Sequence, residues 1–495
     1  MITIFFPVYD DKQPLDRVLK AFATSTSNDF KLIIANFCNR PVPKIDELDY
    51  TVENLELDIR AKVFNYIINK YGGDIFIALP PYIIPEYNFI ENFTKVFKDS
   101  IYGIAYSDYY QELEDGLSKV ELFDWEGQIE ERFDFGYIKA YRVAYLKEMG
   151  LFDENLKIME DYDMWLKITD KYKIAHIKFF LYSTVKPEEK KVDDDLSKKL
   201  FSPGGSGLGQ FSYLFYPPEM EKETKEVFFA MLKRREAFLE HENWEVDYSN
   251  ARYEVMASVV IPVLNREKYI GNAIQKVLDG TFDDFEIIVV DNGSIDRTCE
   301  IVESFTDKRV RLIRNNGKSI ADALNRGIKE SKGKYICQLD SDDEYLPETL
   351  ECMVGHLESH PKCGLAISYY ELMDEAGNPL PELGVIKHLE YDRNNILRTD
   401  GAGALRVFPK VVLEEFGLYD AEHYGNFGED YDMVLKVSEK YDVDRVHKVL
   451  YRYRRHDDNT DVTREPLMKV RNKLHARLSA LKRRQELNKR LKAGK

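Results

Sequence analysis

The 495-residue chain is predicted to be an α/β protein of two tandem domains, each a mainly parallel sheet covered by helices. Three observations predict it. An ordered series of segments occurs twice, apolar strands alternate with amphipathic helical stretches, and the polar and acidic residues gather directly after strands rather than inside them.

The repeat lays Ile2 to about Pro187 over Ser258 to about Asn459. Thr3-Ile4-Phe5-Phe6-Pro7-Val8 answers Ser258-Val259-Val260-Ile261-Pro262-Val263, and Asn28 to Ile34 answers Asp283 to Val289. Later, Gly150-Leu151-Phe152-Asp153 answers Gly417-Leu418-Tyr419-Asp420, and Glu160-Asp161-Tyr162-Asp163-Met164 answers Glu429-Asp430-Tyr431-Asp432-Met433. Two copies of this length mean a tandem of similar folds rather than a solenoid.

Within the second copy the pattern predicts strands at 258–263, 286–290, 310–313 and 335–339. Helices fall between them at about 269–278, 297–304 and 319–330. Strands apolar throughout indicate a parallel sheet buried on both faces, in which ligands bind at the carboxyl ends of the strands. Three of those ends carry polar groups: Asn265 and Arg266, then Asp291 to Ser294, then Asp340-Ser341-Asp342-Asp343. The last places three carboxylates in four residues. Such a cluster either holds a divalent metal, for which carboxylate oxygens suit magnesium or manganese, or is a solvated turn capping the helix that opens at Pro347 and Glu348. The first copy has Asn36-Phe37-Cys38-Asn39 in place of Asp291-Asn292-Gly293-Ser294 and Pro80-Pro81-Tyr82 in place of the acidic cluster.

Four elements in order, Pro262-Val263-Leu264-Asn265, Asp291-Asn292-Gly293-Ser294-Ile295-Asp296, the Asp340-Ser341-Asp342 (DXD) motif and Gly428-Glu429-Asp430, make residues 258 to about 460 resemble an inverting family 2 glycosyltransferase of the GT-A fold. The resemblance implies two tandem GT-A (Rossmann-like) domains, the N-terminal one degenerate, and a UDP-sugar as the favoured donor. It implies a nucleotide-sugar site at Pro262, Val263, Asn265, Asp291 and Asp340, with Lys318, Arg326 and Arg452 as further donor contacts. It places Mn2+ or Mg2+ on Asp342 and His456, with Asp343 as a contributor. It makes Asp430 the base that deprotonates the acceptor hydroxyl, with Glu429 beside it in the catalytic pair. Two acids in a helix's first turn also suit the helix dipole, and Glu160-Asp161 in the copy without the metal motif shows that the pair can persist as a structural helix start. Gapless counting places Pro187 where the second copy has His456.

The expected domains are 1–190, a linker at 191–255, the catalytic copy at 256–462 and a basic helix at 463–495. In the linker, Lys186 to Lys199 is charged and Ser202 to Gly209 is glycine-rich, which reads as a hinge or packing loop, while Lys222 to Glu242 reads as a charged helix. The formal charge of −17 excludes nonspecific nucleic-acid binding by the body of the protein. In the tail, Leu467, Val470, Leu474, Leu478 and Leu481 recur at helical spacing among lysines and arginines, a pattern that packs on the acidic body or meets a membrane or partner. Five scattered cysteines, no membrane-length apolar run and a strand-like start predict a cytoplasmic protein with reduced thiols, peripheral to the inner face of the membrane if the tail binds lipid. The expected reaction moves a sugar onto a glycan or lipid-linked acceptor for cell-surface or extracellular polysaccharide. The competing readings are a bifunctional synthase with two active domains, a nucleotidyltransferase, and a nonenzymatic carbohydrate-binding scaffold.

Overall fold

A computed structural model describes residues 1–46, 48–56, 58–113, 116–185, 216–399, 401–459 and 463–494. The charged run from Lys186, Pro187 and the glycine-rich Ser202–Gly209 stretch lie outside the described residues. Contacts divide the chain into two units, the described residues up to 185 with 216–235, and those from 236 onward.

The first unit contains β1 (Ile2–Val8), β2 (Phe30–Asn36), β3 (Tyr50–Asn54), β4 (Ile75–Ala78), β5 (Ile83–Pro85), β6 (Tyr102–Leu113), β7 (Gly116–Val120), β8 (Ala140–Arg142) and β9 (Lys173–Thr184). The second contains β10 (Val255–Val263), β11 (Phe285–Asp291), β12 (Val310–Arg314), β13 (Gly333–Gln338), β14 (Glu344–Tyr345), β15 (Cys363–Met373), β16 (Val385–Ile386), β17 (Arg406–Pro409) and β18 (Asp442–Arg454). The sheet orders are β3-β2-β1-β4-β8-β6-β9-β5, with β7 beside β6, and β12-β11-β10-β13-β17-β15-β18-β14, with β16 beside β15. Strand for strand they are the same order.

The equivalence extends to single side chains. Leu79 N–H donates to the Phe5 carbonyl and Leu339 N–H to that of Val260, so the register of the two central strands is common to both units. Asn65 clamps the backbone of Phe152 through both amide atoms, at 2.9 and 3.1 Å. Asn325 clamps Tyr419 in the same way, at 2.8 and 2.9 Å. A Cβ on Gly73 would lie 2.6 Å from the Thr3 hydroxyl, and one on Gly333 would lie 2.6 Å from that of Ser258, so both positions require glycine for a close strand approach.

In the second unit β10, β11, β12 and β13 are parallel. β11 is buried along its whole length, as expected of a strand covered on both faces. The helices Ile270–Leu278 and Ile320–Glu330 follow the predicted bounds within a residue and bury their apolar stripes on these strands. The sheet then turns mixed: β17 is antiparallel to both β13 and β15, and β18 runs parallel to β15. β13 and β18 therefore point the same way.

Two helical expectations are corrected. The helix expected at Lys222–Glu242 spans Pro218–Arg234 and belongs to the first unit, where Glu223 accepts from the backbone of Lys157, Ile158 and Met159. Helix cannot continue because Asn394 pairs with both backbone groups of Leu239, at 2.9 and 3.1 Å, drawing that segment into the second unit's core. The C-terminal helix, Pro466–Ala493, buries Leu474 and Leu481 as expected, but Arg477 and Arg484 are buried with them. Their guanidinium groups donate to the carbonyls of Leu397 and Arg393, at 2.9 and 2.6 Å. Among the described residues no helix is long and apolar enough to cross a membrane.

Replacing Asn325 with Ala leaves the Tyr419 N–H and C=O buried without partners. The expected loss is about 2 kcal/mol, read as a lower urea midpoint for the second unit's unfolding transition, with the first unit's transition unmoved.

Candidate active site

Strand direction assembles the site. The carboxyl ends of β10, β11 and β13 lie together, and β18 delivers Arg452 to His456 to the same end because it runs parallel to β13. Antiparallel β17 begins there, with Arg406 paired in register to Gln338 at the end of β13.

The loops after β10 and β11 are laced together. Asn265 adopts the left-handed region at φ 53. Its N–H donates to the Ser294 hydroxyl at 2.8 Å and its side-chain oxygen accepts from Ile295 N–H at 2.8 Å. Arg266 N–H donates to Thr298 and Glu267 N–H to Asp296. Pro262 is half-buried and Val263 buried, with the Val263 carbonyl accepting from Asn292 at 3.0 Å. Asp291, also buried, accepts from the N–H groups of Gly293 and Ser294 at 3.1 and 3.0 Å. Its geometry is that of a turn former, completed by Gly293 at φ +94.

The three carboxylates after β13 have three different environments. Asp343 is 1% exposed, and its oxygens accept from the Tyr451 hydroxyl and the Arg454 N–H, each at 2.7 Å. Burial, then the charges of Asp342 and Asp340, holds its carboxyl well above the usual range. It is a tie between the acidic turn and β18. Asp342 accepts on Oδ2 from Arg266 Nε at 3.2 Å and lies 3.1 Å from His456 Nε2. Burial pushes it up, but the His456 hydrogen bond and the Arg266 charge outweigh this and hold it below the usual value. Asp340 is exposed to solvent. The protein packed around it, then the charge of Asp342, pushes its carboxyl above the usual range.

His456 stacks on Tyr269 with ring centroids 5.3 Å apart. Asp458 N–H donates to its Nδ1 at 3.2 Å, so Nε2 carries the hydrogen and faces Asp342 as a donor. Of the neighbouring arginines, Arg454 turns inward onto the Asp342 carbonyl and Glu344, at 2.7 and 2.9 Å. Arg452 pairs with Glu371 at 2.6 Å.

Gly428, at φ 94, opens the helix Glu429–Ser438. Asp430 accepts from Arg406 at 2.6 Å and from the Tyr431 N–H at 2.7 Å, with a third of its side chain exposed. Glu429 is 7% exposed, and its Oε2 has no hydrogen-bond partner. Burial, then the Asp430 charge, pushes its carboxyl up to about 8. Arg406 also acts on Asp340 and Glu429, so one guanidinium serves three carboxylates.

The first unit shows what has changed. Lys139 occupies the register position of Arg406 and pairs with Asp161 at 2.9 Å. Counting back from the Asn65 and Asn325 clamps, Arg60 matches Ile320. Arg60 pairs with buried Glu160, whereas Glu429 has an isoleucine in place of that cation.

The structure thus gathers Asp340, Asp342 and His456, with Asp430 and Glu429 close enough to act on Asp340. Lys318 is exposed on the loop before its helix. Arg326 lies on that helix's exposed face, paired with Glu330 at 2.9 Å. Sequence reasoning missed Arg406 and the contact of Arg266 with Asp342. The signal for Arg406 was in the repeat, where a single cation heads a short apolar strand in both copies, Lys139 before Ala140 and Arg406 before Val407.

The site and its sheet define a family. The Glycosyl transferase family 2 model matches residues 258–417, and the chain belongs to that family. An uncharacterized glycosyltransferase of Rickettsia typhi is 32% identical over 217 residues, covering 43% of this chain and 67% of its own. An uncharacterized glycosyltransferase of Rickettsia bellii is 27% identical, over 64% of this chain and 46% of its own length. A chondroitin synthase of Escherichia coli is 26% identical, over 59% of this chain and 44% of its own length. This chain therefore spans less than half of the last two relatives.

Because Glu429 keeps its proton in the folded state up to about pH 8, while an unfolded glutamate loses it near 4.5, folding binds a proton between those values. Stability present at pH 5 is lost as pH rises toward 8, by at most about 1.4 kcal/mol per unit. Glu429→Gln removes this slope. In paired urea titrations the variant gains on the parent steadily from pH 5 to 8, and subtraction removes most of the Asp340 contribution common to both.

Proposed function

We propose that the second unit is an inverting glycosyltransferase that moves a sugar from a nucleotide-diphosphate donor, a UDP-sugar, to an acceptor hydroxyl by a single displacement. The observation that carries this reading is that two carboxylate sets share one guanidinium, Arg406, at one end of the sheet. Asp340 and Asp342, with His456, suit the leaving diphosphate, and Asp430, with Glu429, suits the incoming hydroxyl.

Asp342 fits a divalent ion because its carboxylate is held ionised, below the usual range, and the Arg266 and His456 donors now on its Oδ2 would give way to the ion. Asp342 would anchor Mn2+ or Mg2+, and ligation by His456 requires the Nε2 hydrogen to leave and the Asp458 contact to rearrange. When bound, the ion neutralises the diphosphate as the sugar–phosphate bond breaks. Asp343 supports the turn from behind, since both its oxygens are engaged. The Pro262 to Asn265 segment and Asp291 shape the nucleoside pocket, and Lys318 is an exposed cation on the loop after β12. Arg326 and Arg452 have acidic partners of their own, and we leave them out of the donor site.

Asp430 takes the hydroxyl proton because it is the accessible member of its pair, oriented by Arg406. Glu429, whose carboxyl burial and the Asp430 charge push above the usual range, stands beside Asp430 as the second acid of the acceptor side. Similarity to a chondroitin synthase favours a glycan acceptor, and hence polysaccharide assembly, over a protein one. The first unit is noncatalytic in this reading. Pro80 and Tyr82 replace the carboxylates, Arg60 neutralises Glu160, and Lys139 and the Tyr141 hydroxyl occupy Asp161.

Asp430→Asn is expected to bind donor as the parent does while kcat falls by about 10²- to 10⁴-fold. Asp342→Ala is expected to lose metal-stimulated transfer. Donor binding can be followed by calorimetry across a panel of nucleotide sugars with manganese. Full transfer activity in Asp342→Ala would overturn the mechanism.

A further inference from the structure

The helix Thr349–Ser359 carries His356 one turn before His360, which follows its last residue, and the two imidazoles stack with centroids 3.9 Å apart and planes at 17°. Asp444, near the start of β18, lies 3.2 Å from His356 Nε2. One ligating atom from each of the three residues falls within 4.8 Å of the others. β15 and β18 start here, so the cluster occupies the end of the sheet opposite Asp340 and Asp342.

Two details go beyond proximity. His360 Nδ1 donates to the His356 carbonyl at 2.8 Å, with the Ser359 hydroxyl at 3.0 Å. That bond holds the hydrogen on Nδ1 and leaves the Nε2 lone pair free, the arrangement by which metal-binding histidines are oriented. Behind Asp444 sits the buried thiol of Cys363, in contact with its carboxylate. The first unit provides an internal control. Counted from the matching helix starts, Phe89 and Thr349, the positions of His356 and His360 are Val96 and Ser100. Asp444, which pairs with Ala366, is matched by Ala175, which pairs with Ala105. None of the three ligating groups is required by the fold.

We propose that His356, His360 and Asp444 form a second metal site, for a borderline divalent cation of the zinc class, which staples the helix to β18. Two imidazole nitrogens and one carboxylate oxygen make the three-ligand set that zinc takes, with water completing a tetrahedron. The neutral nitrogens distinguish it from the oxygen-rich cluster at the other end of the sheet, which suits magnesium or manganese.

The test titrates the full-length, chelator-stripped protein with zinc against a chromogenic competitor. Asp342→Ala is expected to retain one tight equivalent, and His360→Gln to weaken it by about tenfold or more. His360 is exposed, and its replacement leaves the zinc-free melting temperature unchanged. Cobalt added to the parent gives visible bands of a tetrahedral site, and these are lost in His360→Gln. Zinc binding unaffected by His360→Gln, or abolished by Asp342→Ala, overturns the proposal, as does absence of a tight equivalent in the parent.

Discussion

Arg406 is the charge on which the cleft depends. Asp340, Asp430 and Glu429 converge from two chain segments far apart in sequence, and each raises the energy of ionising its neighbours. The guanidinium offsets that repulsion, and its position is set by backbone rather than side-chain freedom: Arg406 begins β17, and β17 is locked in register to the end of β13. The same architecture exists in the first unit with Lys139 and Asp161. The cation–Asp pair is therefore a fixture of this fold that ties the antiparallel strand to a helix start. It accounts for the persistence of Glu160-Asp161 where the acidic motif has gone.

What separates the units is how much charge each leaves uncompensated. In the first, proline and tyrosine stand where the second has Asp340 and Asp342, and Arg60 reaches Glu160. In the second, isoleucine stands at position 320 where that arginine would be, and although one oxygen is unpartnered in both glutamates, only Glu429 is buried without a cation of its own, sharing Arg406 with Asp340 and Asp430. Such a group costs stability and is retained at sites that use it. The contrast between the units is thus one of electrostatics laid over an unchanged strand order.

The strands and most helices were legible because apolar runs and helical periodicity act locally, and the duplication fixed their order. The acidic turn was legible as chemistry, but not its internal division. Adjacent aspartates look alike in sequence. Only the approach of β18 decides that Asp343 meets Tyr451 and Arg454 while Asp342 faces Arg266 and His456. Arg452 and Arg326 were ambiguous for the same reason, since their acidic partners Glu371 and Glu330 are chosen by strand pairing and helix face. The early end of the helix Pro218–Arg234 was invisible because Asn394, 155 residues from Leu239, captures its backbone. A leucine stripe identified the C-terminal helix, but nothing local reveals that Arg477 and Arg484 are buried, since their partners are carbonyls of a distant segment.

Those buried arginines bear on the site. Arg484 donates to the Ser438 hydroxyl at 3.1 Å, and Arg483 pairs with Glu439 at 2.8 Å. Both partners lie at the end of the helix that Glu429 and Asp430 begin. The Tyr431 hydroxyl donates to the Ile396 carbonyl at 2.8 Å near the helix start, where Arg406 holds Asp430. The helix is thus fixed at both ends, by groups that cannot all yield to one tilt or slide. In the reading proposed above, Asp430 gains from this as the base, because a displacement of about 1 Å can cost a hundredfold in rate. The C-terminal helix, remote in sequence from every motif, therefore bears on Glu429 and Asp430 through the single helix it shares with them.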